Sequence, residues 1–237
     1  MKNKLRKAAI FLLDLLFPVT CLGCGKEGQW LCQTCLNQIK FNKKQVCPVC
    51  RKPSNQGQVC FICQKNIKLK SLVVICDYQD QIIEKAIHSL KYKYARDLKK
   101  FFNLIINFHL QNNDYNFLKN SVIIPIPLHK KREKWRGFNQ ALIIAKELSK
   151  ITNIYLSENS LKRTKNTKSQ IKLKAKQRQK NLENAFKVSQ KLEILGKTAI
   201  LIDDVYTTGA TMNEAAKALK KAGAKDVKGL VIARNKI

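Results

Sequence analysis

Four C-x-x-C pairs in one short segment constrain the fold of this chain more than any other feature. They account for eight of its nine cysteines: Cys21/Cys24, Cys32/Cys35, Cys47/Cys50 and Cys60/Cys63. Each two-residue gap lets one tight turn supply two thiolates to a tetrahedral zinc ion. The pairs therefore predict two structural zinc sites. A disulfide framework, as in small secreted proteins, is the alternative.

The segment that holds these pairs, residues 18–66, is rich in glycine and proline and poor in core residues. A module of this composition needs metal to fold. Linkers of seven and nine residues lie between the first two and the last two pairs, which suits consecutive zinc ribbons, although a crossed arrangement stays open. Because all four ligands of each site would be cysteine, no coordination position would be left for a water molecule. Each site would therefore be structural rather than catalytic.

The amino-terminal residues have a basic start followed by an apolar run, as a signal peptide does. Asp14 interrupts the run, no small-residue cleavage site follows, and the run is shorter than the roughly 20 residues that span a bilayer. We predict an amphipathic helix within residues 1–17, over residues 5–17, and no integral membrane segment. We also expect a cytoplasmic location, and peripheral attachment at the inner membrane face stays open.

The chain is strongly basic, with 46 Lys and Arg against 16 Asp and Glu and a formal net charge of +30. Such a charge favours polyanionic partners, namely nucleic acid, phosphorylated metabolites or anionic lipid surfaces. A biased genomic composition is the alternative explanation. Charge alone therefore does not establish a partner.

Beyond the cysteine module, strand and helix patterns alternate through a second domain, residues 71–237. Strand patterns cover 71–78, 122–128, 198–203 and 227–234, and helical patterns cover 82–108, 139–150 and 211–224. This alternation predicts an α/β fold with a mostly parallel, doubly wound sheet.

The stretch "ILIDDVYTTGAT", residues 200–211, predicts a phosphate site between a strand that ends at Ile202 and a helix that begins near Thr211. Free N–H groups at a helix start attract anions, small residues allow close approach, and hydroxyls add donors. The residues that would form this cradle are Thr207, Thr208, Gly209, Ala210 and Thr211.

Two adjacent carboxylates, Asp203 and Asp204, precede the cradle. They cannot face a phosphate themselves, so we expect them to serve sugar hydroxyls or a Mg²⁺ ion beside it. A phosphate held by amides next to hydroxyls held by acids describes a ribose 5-phosphate. The alternative is that the acids cap the helix and the threonines only turn the chain.

This stretch resembles the phosphoribosyl pyrophosphate (PRPP) motif of type I phosphoribosyltransferases, an apolar strand, two acids and a T-T/S-G-x-T loop. The resemblance implies that Asp203 and Asp204 engage the ribose hydroxyls, that residues 207–211 hold the 5′-phosphate, and that Mg²⁺ accompanies PRPP.

Most of the chain resembles the ComF-type family of phosphoribosyltransferase-like proteins, which includes competence proteins. The resemblance rests on "IPIPLHKKREKWRGFNQA", "RTKNTKSQ" and "RQKNLENAF", preceded by "HSLKYK" and the four cysteine pairs. It implies single-stranded DNA and the inner-membrane DNA-uptake machinery as partners.

In type I phosphoribosyltransferases a second loop grips the pyrophosphate, and the basic segment after residue 128 matches its place. Its candidates are Arg132 and Arg136, since guanidinium groups bind phosphates bidentately, and Gly137, which would permit close approach. A solvated basic loop is the alternative.

The basic stretch 162–181 resembles the mobile cover of this superfamily, with Arg163 and Arg178 as candidate contacts. A solvated helix and a nucleic-acid-binding face are the alternatives.

One departure from the family pattern concerns proton transfer. Some family enzymes carry an acid or base two residues after the acidic pair, where this chain has Val205 and Tyr206. Two hypotheses follow: a DNA-uptake protein that binds PRPP as a ligand, or an active phosphoribosyltransferase whose acceptor supplies its own acidity.

Overall fold

The computed structural model describes residues 18–90, 98–113, 120–165 and 182–235. A cysteine-rich module leads into an α/β domain. The predicted helix 5–17 and the candidate Arg178 lie outside the described residues. None of the helices in these ranges is long and apolar enough to cross a membrane.

The strands of the described residues are β1 (Ser71–Asp77), β2 (Ser121–Pro125), β3 (Leu161–Arg163), β4 (Phe186–Val188), β5 (Thr198–Tyr206) and β6 (Asp226–Arg234). Four of them form a parallel sheet in the order β1-β6-β5-β2. A further parallel bridge joins Ile123 of β2 to Leu156. The remaining pair, β3 and β4, forms an antiparallel hairpin.

The helices of the described residues are α1 (Gln33–Gln38), α2 (Gln81–Ser89), α3 (Leu98–Gln111), α4 (Lys130–Arg136), α5 (Gln140–Thr152) and α6 (Ala210–Lys221). The helical pattern predicted over residues 82–108 contributes to both α2 and α3, and residues 91–97 between them lie outside the described part. Asp80 caps α2 by accepting hydrogen bonds from the N–H groups of Ile82 and Ile83.

Alternate residues of each sheet strand enter two separate hydrophobic cores. On β1, Val73 and Ile75 pack into a core with α2, α3 and α5. Leu72 and Val74 pack into a second core with α6 and the β3-β4 hairpin. A parallel strand buried on both faces reads as a continuous apolar run, which explains the strand patterns in the sequence. The predicted doubly wound fold is confirmed.

Strand β5 is longer than its apolar run predicts. The run indicated an end at Ile202, but the strand continues to Tyr206 because β6 extends beside it, pairing Val205 with Ala233 and Tyr206 with Arg234. The prediction of the strand end was therefore wrong. As a result, Asp203 and Asp204 lie within the last part of a strand rather than in the turn.

The cysteine-rich module covers the outer edge of β1. The N–H of Asn42 donates to the carbonyl of Ile75 (2.9 Å). The side-chain amide of Gln45 donates to the carbonyl of Val74 (3.1 Å) and accepts from its N–H (2.9 Å). An exposed sheet edge leaves backbone groups unpaired. The module therefore pairs with backbone groups that β1 would otherwise leave free at the side of the sheet.

Candidate functional site

Two clusters of four cysteines lie in the module, and in each cluster the Sγ atoms are all within 4.8 Å of one another. The first contains Cys21, Cys24, Cys32 and Cys35, and the second contains Cys47, Cys50, Cys60 and Cys63. Successive pairs are therefore joined, and the crossed arrangement that the sequence left open does not occur.

The sulfur geometry of both clusters fits zinc. The Sγ atoms of Cys24 and Cys32 are 3.7 Å apart, as are those of Cys50 and Cys60. Four sulfurs about 2.3 Å from a central zinc ion are separated by about 3.8 Å in a tetrahedron. The distances, and the use of cysteine alone, support closed structural zinc sites.

The pKa values of these thiols also favour a bound cation. Burial raises the pKa of Cys21, but backbone hydrogen bonds from Cys24, Cys32 and Gly23 outweigh it and lower that pKa to about 6. Hydrogen bonding to Cys32 and burial raise the pKa of Cys35 to about 12. The thiols of one cluster thus resist ionising together, and a bound Zn²⁺ would remove that resistance.

The predicted phosphate cradle lies between β5 and α6. Gly209 is the N-cap of α6 with φ of 77°, and a Cβ at this position would collide with the ring of Tyr206. Only glycine therefore satisfies both the backbone conformation and the space. The hydroxyl of Thr208 accepts a hydrogen bond from the N–H of Ala210 (3.5 Å). The turn follows the carboxyl end of β5 directly and leads into a twelve-residue helix.

The acidic pair does not cap α6. Asp203 Oδ1 accepts a hydrogen bond from the N–H of Asp204 (3.0 Å), and Asp204 Oδ1 accepts one from the N–H of Val205 (2.8 Å). Although part of Asp203 is exposed, the protein atoms around its carboxyl and the neighbouring Asp204 raise its pKa well above the usual range, against the opposing effect of Arg163. Both acids are partly exposed in the last part of β5.

Two of the basic residues predicted from sequence gather beside the acids. Arg163 on β3 is only 9% exposed, and its guanidinium lies 5.7 Å from the ring centroid of Phe186. Burial and, to a lesser extent, the charge of Arg132 lower the pKa of Arg163 to about 10, although Asp203 acts in the opposite direction. Since the effect of a charge falls off with distance, Arg132 and Asp203 both lie in the neighbourhood of Arg163. The three residues come from α4, β3 and β5.

The segment predicted as a pyrophosphate loop is a short helix, α4. His129 caps it by accepting a hydrogen bond from the N–H of Lys131, and Gly137 ends it with φ of 82°. A Cβ at Gly137 would meet no protein atom within 4 Å, so the glycine is needed for its backbone conformation. Arg136 lies in the last turn, and burial followed by the charge of Arg136 lowers the pKa of Arg132.

Sequence reasoning missed two residues at this edge, Tyr78 and Arg234. Burial raises the pKa of Tyr78, as do the carboxylates of Glu84 and Asp204, so the phenol lies near the acidic pair. The Arg234 guanidinium lies 5.2 Å from the ring centroid of Tyr206. Both residues stand at the carboxyl ends of predicted strands, where open α/β sheets form their sites. That position was the signal for finding them.

Comparison with known proteins agrees with this architecture. The double zinc ribbon domain family matches residues 12–64, and the phosphoribosyl transferase domain family matches residues 97–237. Competence protein F of Haemophilus influenzae is 33% identical over 90% of this chain and 90% of its own length. This chain belongs to the ComF-type family. The DNA utilization protein YhgH of Escherichia coli K12 is 30% identical, and the match covers 83% of this chain and 87% of that relative. Competence protein ComFC of Bacillus subtilis is 29% identical, and the match covers 84% of this chain and 81% of that relative.

Proposed function

We propose that this ComF-type protein binds PRPP with Mg²⁺, binds single-stranded DNA, and acts in DNA uptake during competence. The observation that supports the first part is that Arg163 lies near both Arg132 and Asp203, and that the strand carrying Asp203 leads into the turn at Gly209. Cations for a pyrophosphate, carboxylates for sugar hydroxyls and a helix start for a phosphate then lie at one edge of the sheet.

Each part of PRPP has a matching group in this arrangement. The 5′-phosphate would accept hydrogen bonds from the first N–H groups of α6 and from the hydroxyls of residues 207, 208 and 211. The carboxylates of Asp203 and Asp204 would accept hydrogen bonds from the ribose hydroxyls. Arg132 and Arg163 would hold the pyrophosphate through charge-assisted hydrogen bonds, and Mg²⁺ would neutralise part of its charge.

The DNA-uptake role rests on the relatives and on charge. The relatives' names refer to competence and to DNA utilization. The net charge of +30 favours a polyanion, and a strand of DNA is a partner of that kind. The location we favour is cytoplasmic, with the inner-membrane uptake machinery as the protein partner.

An active phosphoribosyltransferase is the second candidate, because the buried Arg163 and the partly buried Arg132 are suited to stabilising pyrophosphate as it leaves C1 of the ribose. The chain offers no evident base two residues after the acids. Val205 is apolar, and Tyr206 packs behind Gly209, with a pKa that burial raises. An acceptor would therefore have to bring its own acidity.

Calorimetric titration of PRPP with and without Mg²⁺ tests the ligand. We expect binding by the wild type and a loss of at least tenfold in affinity for Arg163→Met, because a buried charge-assisted contact is removed. Lys162→Met is the matched control, since Lys162 lies on the same strand with its side chain exposed. Equal affinity of the two variants, or no binding by the wild type, would contradict the proposal.

Pyrophosphate release from PRPP, measured with candidate bases or with DNA, separates the two candidates. Release by the wild type above an Asp204→Asn control would establish transfer or hydrolysis. For DNA, titration of an oligothymidylate at rising salt should show a log–log slope of about −0.7 for each phosphate that the protein neutralises. A flat response to salt would count against DNA binding.

A further inference from the structure

The second zinc ribbon, residues 41–66, carries basic residues without a single acidic one: Lys43, Lys44, Arg51, Lys52 and Lys65. The first ribbon, residues 18–40, contains two lysines and one glutamate. The positive charge of the module is therefore concentrated on the second ribbon. A positively charged surface attracts a polyanion and repels basic partners.

The same ribbon exposes apolar side chains at the tips of both of its cysteine turns. Phe61 and Ile62 are each 76% exposed and Val49 is 47% exposed. Val49 precedes Cys50 and Phe61 follows Cys60, and the Sγ atoms of these two cysteines are 3.7 Å apart. The two tips therefore lie side by side. We call Val49, Phe61 and Ile62 the knuckle face.

Two cavities adjoin this ribbon and share Lys44 and Gln45 in their walls. One, of about 640 Å³, is lined by Lys43, Lys44 and Asn55 among others. The other, of about 260 Å³, is lined by Lys44, Arg51 and Arg234 and reaches the ends of β1 and β6. Apart from Asp77, the charged residues in both walls are basic, and the two cavities extend from the second ribbon to the ends of β1 and β6.

We propose that the second ribbon is the surface on which this protein holds single-stranded DNA, with bases stacked on Phe61 and the phosphates along Lys43, Lys44 and Arg51. This inference rests on the proposed DNA binding and names its site. Stacking on an aromatic ring requires unpaired bases, so a single strand fits the exposed ring better than a duplex does. Basic side chains beside an exposed aromatic are the two elements of such a surface.

The smaller cavity adds a direction. A strand whose phosphates lie along Arg51 and Lys44 would approach Arg234 at the carboxyl end of β6, because these three residues line the same cavity. Arg234 in turn lies over Tyr206, behind the phosphate cradle. The second ribbon and the phosphate cradle are thus linked through Arg234 and Tyr206.

Fluorescence anisotropy with labelled oligothymidylate and the full-length zinc-loaded protein tests the site. Base stacking is worth about 1–3 kcal/mol for each base, so Phe61→Ala is expected to weaken binding about tenfold. Phe61→Trp should retain the affinity, and Phe61→Leu, which keeps an apolar side chain, should resemble Phe61→Ala. Leu192→Ala, which removes another exposed apolar side chain on a different part of the surface, should bind as the wild type.

The charge contribution is tested by Lys43→Gln combined with Lys44→Gln, which should make the salt dependence shallower by about 0.7 for each phosphate that is no longer neutralised. Zinc content and PRPP affinity of every variant are measured in parallel, and both should be unchanged in Phe61→Ala. Full DNA affinity in Phe61→Ala would overturn the site while leaving DNA binding intact. Failure of the wild type to bind DNA at low salt would overturn DNA binding and the site together.

One other occupant of the knuckle face, an anionic membrane, is tested with the same variants. If Phe61→Ala loses binding to phosphatidylglycerol vesicles but keeps full DNA affinity, the knuckle face binds lipid rather than DNA. That result would overturn the proposal. Phe61→Leu that binds DNA as tightly as the wild type would show that apolar contact suffices. That result would also contradict base stacking.

Discussion

Arg234, the last residue of β6, donates a hydrogen bond from Nη2 to the carbonyl oxygen of Pro48, 2.7 Å away. Pro48 lies in the turn between Cys47 and Cys50, so the bond joins the carboxyl edge of the sheet to the second zinc cluster. The same guanidinium covers the ring of Tyr206, and that ring fills the space where Gly209 lacks a side chain. The second zinc cluster is thus linked to the phosphate cradle through Arg234 and Tyr206.

The first prediction concerns Arg234. Arg234→Gln removes a charged hydrogen bond and a cation–π contact, so Tyr206 loses its support and the cradle loses part of its preorganisation. We expect PRPP affinity to fall about tenfold, measured by calorimetry, with the zinc content unchanged. The control is Lys70→Gln, which breaks an exposed ion pair with Asp226 at the other end of β6 and should leave affinity within about twofold. Wild-type affinity in Arg234→Gln would show that the two sites are independent.

The second prediction concerns zinc. The wild type should contain two zinc ions per chain by elemental analysis, one for each cysteine cluster. Cys60→Ser should lower this to one and weaken PRPP binding by at least as much as Arg234→Gln, because the turn at Pro48 loses its anchor.

Cys24→Ser is the matched variant in the first cluster and should also lose one ion. The first ribbon packs through Cys32, Cys35 and Leu36 into the core on the α2 side of the sheet, away from the cradle. Its loss should therefore lower the melting temperature with a smaller effect on PRPP affinity. Equal effects of the two cysteine variants on affinity would contradict the link through Arg234.

The third prediction concerns Gly209. Gly209→Ala places a Cβ against the ring of Tyr206 in a backbone conformation that L-residues rarely adopt. We expect a loss of stability of more than about 1 kcal/mol and loss of most PRPP affinity. Gly196→Ala has a similar φ of 71° with no atom within 4 Å of the added Cβ, so it isolates the backbone effect. If both variants lose equal stability in urea unfolding, the contact with Tyr206 has no energetic role.

The fourth prediction concerns Asp203, whose pKa is raised in the folded protein by burial and by Asp204. Because the folded pKa exceeds the unfolded one, ionising Asp203 opposes folding, and stability is lost as pH rises through the folded pKa. Asp203→Asn should therefore raise the melting temperature, more at about pH 8 than at about pH 5, by about 2–4 °C for each kcal/mol regained. PRPP affinity should be lost.

Asp226→Asn is the control for this pH dependence, because its carboxylate pairs with Lys70 and its loss should not stabilise the protein. Differential scanning fluorimetry across pH measures both variants. A melting temperature for Asp203→Asn at or below that of the wild type at every pH would show that ionisation of Asp203 does not oppose folding. Such a result would also weaken the interpretation of Asp203 as a group held ready for a ligand.

Patterns over a few neighbouring residues predicted most of the fold. The apolar runs at residues 71–78 and 227–234 correspond to β1 and β6 because buried parallel strands are apolar on both faces. The start of α6 was predicted near Thr211 and lies at Ala210, one residue earlier, because the turn that precedes the helix is local. The end of β5 was misjudged, since it depends on how far β6 extends beside it, and no pattern within residues 198–206 records that.

Cysteine spacing and strand patterns were sufficient to predict two cysteine clusters and a parallel sheet, because ligand turns and pleats are local geometries. The acid-threonine-glycine stretch predicted the turn between β5 and α6 for the same reason, and its role as a ribose-phosphate cradle remains a proposal. The meeting of Arg132, Arg163 and Asp203, the docking of Gln45 on β1, and the bond from Arg234 to Pro48 required the folded chain. Their partners are distant in sequence, up to 186 positions for Arg234 and Pro48, and only the packing of helices, sheet and ribbon brings them within reach.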